Sequence, residues 1–129
     1  MPNKPRVVAV IDDNLTVLGA MGRLLSALGY RTELYVSGEE FLAVAALSEA
    51  MCLIVDVHLG ESSGIELAKH LAKIGYTTPT VFMSADGSET AKKRAAQTGC
   101  IAFLTKPFGL DDLIDALAKV PTSCPFGAK

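Results

Sequence analysis

A chain of 129 residues with 12 basic and 14 acidic side chains carries a net charge of −2, is 50% hydrophobic and has a mean hydropathy of +0.34. The length fits one domain whose core needs no disulfide or metal staple, and the apolar share excludes a disordered chain. The slightly acidic balance argues against direct nucleic-acid binding, which calls for a basic excess.

In chain order, an apolar run at 7–11 reads as a strand and stops at Asp12 and Asp13. Leu15, Leu18, Met21, Leu24, Leu25 and Leu28 follow at spacings of three and four, one apolar helix stripe, ended by Gly29. A second run spans 32–36, and Ser37 with Glu40 fits a capping box opening a helix over 37–47. The third run, 51–55, stops at Asp56; Ser63 with Glu66 opens a helix over 63–73, closed by Gly75. The fourth run, 80–83, stops at Ser84. Asp86 with Glu89 is a looser capping box before a helix over 88–98, closed by Gly99. The fifth run, 101–104, leads to Lys106 and Pro107, and a helix spans 111–120. Residues 121–129 read as a flexible tail or linker stub after a domain over 1–120.

Most of the runs are apolar throughout, so both faces of the sheet are buried, as in parallel sheets between helix layers. The alternation predicts an α/β fold, a doubly wound (βα)5 three-layer sandwich with a five-stranded parallel sheet in the order 2-1-3-4-5. All the strand-end polar residues then lie on one edge. Strands 1 and 3 are neighbours at the switch point, where Asp12, Asp13 and Asp56 converge with Ser84 and Lys106 beside them. Three close carboxylates repel, so without a cation at least one pKa rises. An all-oxygen acidic site suits Mg²⁺, a lysine suits a phosphate oxygen, and a carboxylate can be the nucleophile that forms an acyl phosphate. The chemistry implied is phosphoryl transfer onto an aspartate, with Asp56 the better nucleophile and the Asp12–Asp13 pair better placed to hold metal.

The three cysteines, Cys52, Cys100 and Cys124, form no CxxC pair and read as reduced thiols. The longest uncharged stretch, 12 residues at 74–85, contains Thr77, Thr78 and Pro79 and is too short and polar to span a bilayer. The N-terminal stretch lacks the apolar segment of a signal peptide. A cytoplasmic protein without membrane contact is the expectation. His58 and His70 have no ligand spacing, and Lys92, Lys93 and Arg94 read as a solvated helix face, with partner docking the sharper alternative.

The segments VVAVIDDN (7–14), LIVDVHLGESSGIEL (53–67), VFMSADG (81–87) and FLTKPF (103–108) together resemble the receiver domain of two-component response regulators, over about residues 6–120. The resemblance implies Asp56 as phosphoacceptor, Asp13 as direct Mg²⁺ ligand, Asp12 acting largely through water, and the His58 backbone carbonyl as a further ligand. It implies Ser84 as the hydroxyl that contacts the phosphoryl group, Lys106 as the phosphate-binding lysine in a cis bond to Pro107, and Phe103 as the aromatic switch. It also implies a histidine kinase or phosphotransfer protein as donor, and a downstream protein partner or output domain as reader. The domain would act as an enzyme only on itself, and a homodimer could form on phosphorylation. Gly60 stands where the family often has proline, which should loosen that loop. Ile101-Ala102 lacks the acidic residue used in the charge-paired dimers of some subfamilies. Three alternatives remain: a Mg²⁺-dependent aspartyl-phosphate phosphatase, a non-phosphorylated receiver-like interaction module, and a flavin carrier, the last disfavoured by the two acids after strand 1.

Overall fold

The computed structural model describes residues 6–60 and 62–120; the expected tail, with Cys124, lies outside them. Strands β1 (Arg6–Ile11), β2 (Tyr30–Tyr35), β3 (Cys52–Asp56), β6 (Thr80–Ser84) and β7 (Ala102–Thr105) form one sheet in the order β2-β1-β3-β6-β7, every pairing parallel. Counting only these strands, the order is 2-1-3-4-5, as the alternation predicts. Two further strands, β4 (His58–Leu59) and β5 (Ser62–Ser63), make a small antiparallel hairpin directly after β3.

The helices are α1 (Leu15–Ala27), α2 (Gly38–Val44) with a 3₁₀ turn at Ala45–Leu47, α3 (Gly64–Lys73), α4 (Glu89–Ala96) and α5 (Leu110–Ala118). Side chains alternate across each strand, so the sheet buries two cores. Val8, Val10, Ile54, Val81 and Met83 pack with Leu18, Met21 and Leu25 of α1 and Leu113 and Leu117 of α5. Ala9, Ile11, Leu53, Val55 and Phe82 pack with Phe41 of α2, Ile65, Leu67 and Leu71 of α3, and Ala95 of α4. This double burial requires the high apolar content. Cys52 is buried, which pushes its thiol up to about 12, and Cys100 is half-buried with its thiol also raised by burial; both are free thiols packed in the cores.

The helix starts follow the sequence with some shifts. Ser37 and Ser63 cap α2 and α3 through their hydroxyl oxygens. Glu40 accepts from the Val36 N–H at 3.0 Å, one residue earlier than a regular box. The α4 cap is Ser88, whose Oγ accepts from the Ala91 N–H at 3.1 Å, and Asp86 instead accepts from the Ser88 N–H. In the α1 stripe, Leu18, Met21 and Leu25 are buried, but Leu15, the first residue of the helix, is 71% exposed.

A second polar cluster lies on the β2 flank. Glu33 Oε1 accepts from the Tyr35 hydroxyl at 3.0 Å and from the Ser48 hydroxyl at 2.8 Å. Tyr35 also stacks edge-on against Phe41, with ring centroids 5.3 Å apart.

Candidate functional site

Among the described residues, the buried polar or charged side chains are Asp12, Asp56 and Ser84, all at the C-terminal edge of the sheet. β1 delivers Asp12 at its end, with the Asp12 N–H donating to the Tyr35 carbonyl at 3.1 Å. β3 ends on Asp56 and β6 on Ser84. Asp13 is exposed on the solvent side of the same edge. One oxygen from each of Asp12, Asp13 and Asp56 lies within 4.8 Å of the others.

Lys106 enters from beyond β7. Its Nζ donates to Asp12 Oδ2 at 3.1 Å and to Asp56 Oδ2 at 3.0 Å, so one ammonium bridges two carboxylates. The other carboxylate oxygens accept backbone donors: Asp12 Oδ1 from the Asn14 N–H at 2.8 Å and Asp56 Oδ1 from the His58 N–H at 3.0 Å. Ser84 Oγ accepts from the Asp86 N–H at 3.0 Å, and the Ser84 carbonyl accepts from the Lys106 N–H at 2.7 Å. The Lys106–Pro107 peptide bond is cis.

Burial pushes the Asp12 carboxyl up from its ordinary value. Bonds from Asn14 and Lys106 oppose the rise, and the Asp56 charge adds to it. A raised pKa is what the clustered acids predict, although desolvation and not repulsion is the larger cause. For Lys106 burial alone would lower the pKa, but its bonds to Asp56 and Asp12 more than reverse this and the net shift is upward. The ammonium is therefore secured as a cation, while one ammonium does not offset the full desolvation of Asp12.

Glycines shape the rim. Gly60 directly follows β4 at φ 62°, a left-handed conformation closed to proline. A Cβ on Gly64 would overlap the Asp56 carbonyl oxygen and stand 2.8 Å from Val55 Cγ1, so α3 begins directly against the backbone of Asp56. Phe103 is half-buried on β7 against the α2–α3–α4 core, paired with Phe82 in the sheet. His58 and His70 are exposed.

The sequence did not reveal the backbone donors of Asn14, His58 and Asp86, because every residue other than proline has an N–H. Gly64 left one usable signal, a glycine in the first turn of a helix, where poor helix propensity hints at close packing.

The donor set fits a small hard cation. It is all oxygen, the ligand type that Mg²⁺ takes, and one oxygen of each of the three carboxylates lies within 4.8 Å of the others. The exposure of Asp13 leaves room for water and a phosphate oxygen.

Comparison with known proteins agrees with this geometry. The family model for the response regulator receiver domain matches residues 8–118. The response regulator protein TmoT of Ectopseudomonas mendocina is 33% identical, over 91% of this chain and 53% of the relative. The chain spans about half the length of the curated relatives it matches. Among solved structures, the Vibrio cholerae chemotaxis protein CheY4 superposes with a TM-score of 0.83 at 26% identity, covering 92% of this chain and 100% of that one. A response regulator from Burkholderia pseudomallei, solved with a phosphorylated aspartic acid, calcium ion and citrate, gives 0.78 at 26% identity, over 91% of this chain and 67% of that one. With this fold, this acidic edge and a match over most of its length, the chain belongs to the response regulator receiver domain family, whose members are the phosphoacceptors of two-component signalling.

Proposed function

We propose that Asp56 is the phosphoacceptor, taking a phosphoryl group from the phosphohistidine of a histidine kinase or phosphotransfer protein. The observation that carries this is the convergence of Asp56 with Asp12, Asp13 and Lys106, an acidic group with too little positive charge of its own. A carboxylate oxygen of Asp56 attacks phosphorus, the P–N bond breaks as the O–P bond forms, and the imidazole leaves with its electron pair and takes up a proton. Asp13, Asp12 through water, Asp56 and the His58 carbonyl would hold Mg²⁺, which supplies charge neutralisation at the phosphoryl oxygens. Lys106 holds one phosphoryl oxygen, and the Ser84 hydroxyl, whose oxygen already accepts from Asp86, has its proton free for another.

Residues 1–120 form the receiver unit. The domain catalyses only its own phosphorylation and slow dephosphorylation. Ser84 and Phe103 form the switch, and its readout is altered binding of a protein partner or an output domain, with a homodimer as one form of that readout. Its place is the cytoplasm, without membrane or nucleic-acid contact of its own; no helix among the described residues is long and apolar enough to cross a membrane. Incubation with Mg²⁺ and acetyl phosphate, followed by intact mass, tests this reading. The expected result is one phosphoryl adduct per chain, abolished by chelation. An unmodified wild-type chain, or uptake that persists without divalent cation, overturns it.

A further inference from the structure

Gly87 lies in the loop between β6 and α4, three residues after Ser84. It is not among the glycines with positive φ, so its backbone conformation suits any residue. Space is what limits it: a Cβ there would stand 2.8 Å from Thr105 Cγ2, 3.0 Å from Thr105 Oγ1 and 3.5 Å from Thr105 Cβ. Rotation of Thr105 does not relieve the overlap. Its two branches fill two of three staggered positions, and both of those positions face Gly87, so any other rotamer keeps one branch in the way.

Both backbones are tied to the site. Thr105 pairs with Ser84 in the sheet, and the next residue, Lys106, donates its N–H to the Ser84 carbonyl. On the other side, the Asp86 N–H donates to Ser84 Oγ at 3.0 Å, the Ser88 N–H donates to Asp86 Oδ1 at 2.9 Å, and Ser88 caps α4. A push at position 87 therefore reaches Ser84 Oγ through a single residue, and reaches Lys106 through its neighbour Thr105.

We propose that the Gly87–Thr105 contact is a positioning strut: the missing side chain at 87 sets the spacing between the Ser84 hydroxyl and the Lys106 ammonium, and with it the rate of phosphoryl transfer. The strut rests on the acceptor role proposed for the same site. Gly87 acts through Ser84 and does not itself touch the phosphoryl group.

The test compares wild type, Gly87→Ala, Thr105→Ala and the double variant, each with Mg²⁺ and acetyl phosphate. Uptake is followed by intact mass, Mg²⁺ affinity by calorimetry and folding by thermal melting. Gly87→Ala should slow uptake about tenfold, since displacements near 1 Å cost up to about a hundredfold. Its Mg²⁺ affinity should stay within about twofold, because the acids sit on the β1 and β3 side of the strut; general damage would lower both together. Thr105→Ala removes both crowding atoms and leaves only Cβ at 3.5 Å, so the double variant should regain the wild-type rate. Unchanged uptake in Gly87→Ala, a folded double variant that stays slow, or Mg²⁺ affinity that falls in step with uptake overturns the strut. A wild-type chain that takes no phosphoryl group overturns the acceptor role, and the strut with it.

Discussion

Two polar clusters contrast in this molecule, one on the edge strand β2 and one at the C-terminal edge of the sheet, and they are built for opposite purposes. On the β2 flank a single carboxylate, Glu33, is met by two neutral hydroxyls, Tyr35 and Ser48, so its hydrogen bonding is supplied without any foreign group. At the C-terminal edge of the sheet three carboxylates converge on one ammonium. The first cluster is closed; the second is left with net negative charge and open to solvent at Asp13. An acidic residue on a strand is thus not in itself a site. An excess of negative charge over what the protein neutralises is what sets the second cluster apart, and it is the feature a bound cation would answer.

The sharpest test of this contrast is paired. Asp56→Asn should lose phosphoryl uptake altogether by intact mass, whereas Glu33→Gln, an equal change in the closed cluster, should leave it at the wild-type rate. Equal loss in both would dissolve the distinction. Next in size is Lys106→Ala. Uptake should fall by at least about tenfold without vanishing, since a charge-assisted contact to phosphate is worth about 1.5–3 kcal/mol, and signalling should be lost. At the same time Mg²⁺ affinity by calorimetry should rise, because the ammonium that occupies Asp12 Oδ2 and Asp56 Oδ2 is gone. A fall in affinity would show that the lysine orders the acids and does not compete for them.

Smaller effects come from the closed cluster and the helix caps. Tyr35→Phe should cost about 1 kcal/mol in urea unfolding, the usual net worth of one hydrogen bond, with uptake unchanged. Burial and then the bond to Glu33 raise the Tyr35 phenol from 10.0 to about 12. For an acid raised in the fold, the linked stability is whole below pH 10.0 and is lost as the pH climbs through about 12. Tyrosinate absorbance should therefore show a late step near 12 that is absent in the Phe variant. Ser37→Ala, which removes the α2 cap, should cost ~1 kcal/mol or less and touch neither cluster.

The layout was legible in the sequence because four of the five apolar runs stop at or just before a polar residue suited to the site: Asp12, Asp56, Ser84, and Lys106 just beyond the last strand. The runs show that both sheet faces are covered, and right-handed crossovers then bring those ends to one edge. Local signals were less decisive where two residues compete for one role. Asp86 and Ser88 both precede α4, and only the path of the chain shows that Ser88 caps it. The β4–β5 hairpin left no trace, since two-residue strands are too short for any periodicity. Gly64 gave only the hint of a glycine in a first helical turn and Gly87 gave none, for another reason: what forbids a side chain there is an atom of a different segment, Asp56 in one case and Thr105 in the other.

The bridge made by Lys106 spans 94 residues to Asp12 and 50 to Asp56. During synthesis both acids leave the ribosome long before the lysine does. An emerging chain that stops at β6 has the acids and Ser84 but not their counter-charge, and the apolar seat for α5 is still bare. Only when the last strand docks does the edge gain the cation that holds it together. On the roles proposed for Asp56 and Lys106, a domain without its last strand lacks the group that would hold a phosphoryl oxygen, so acceptance would wait on the completion of the fold.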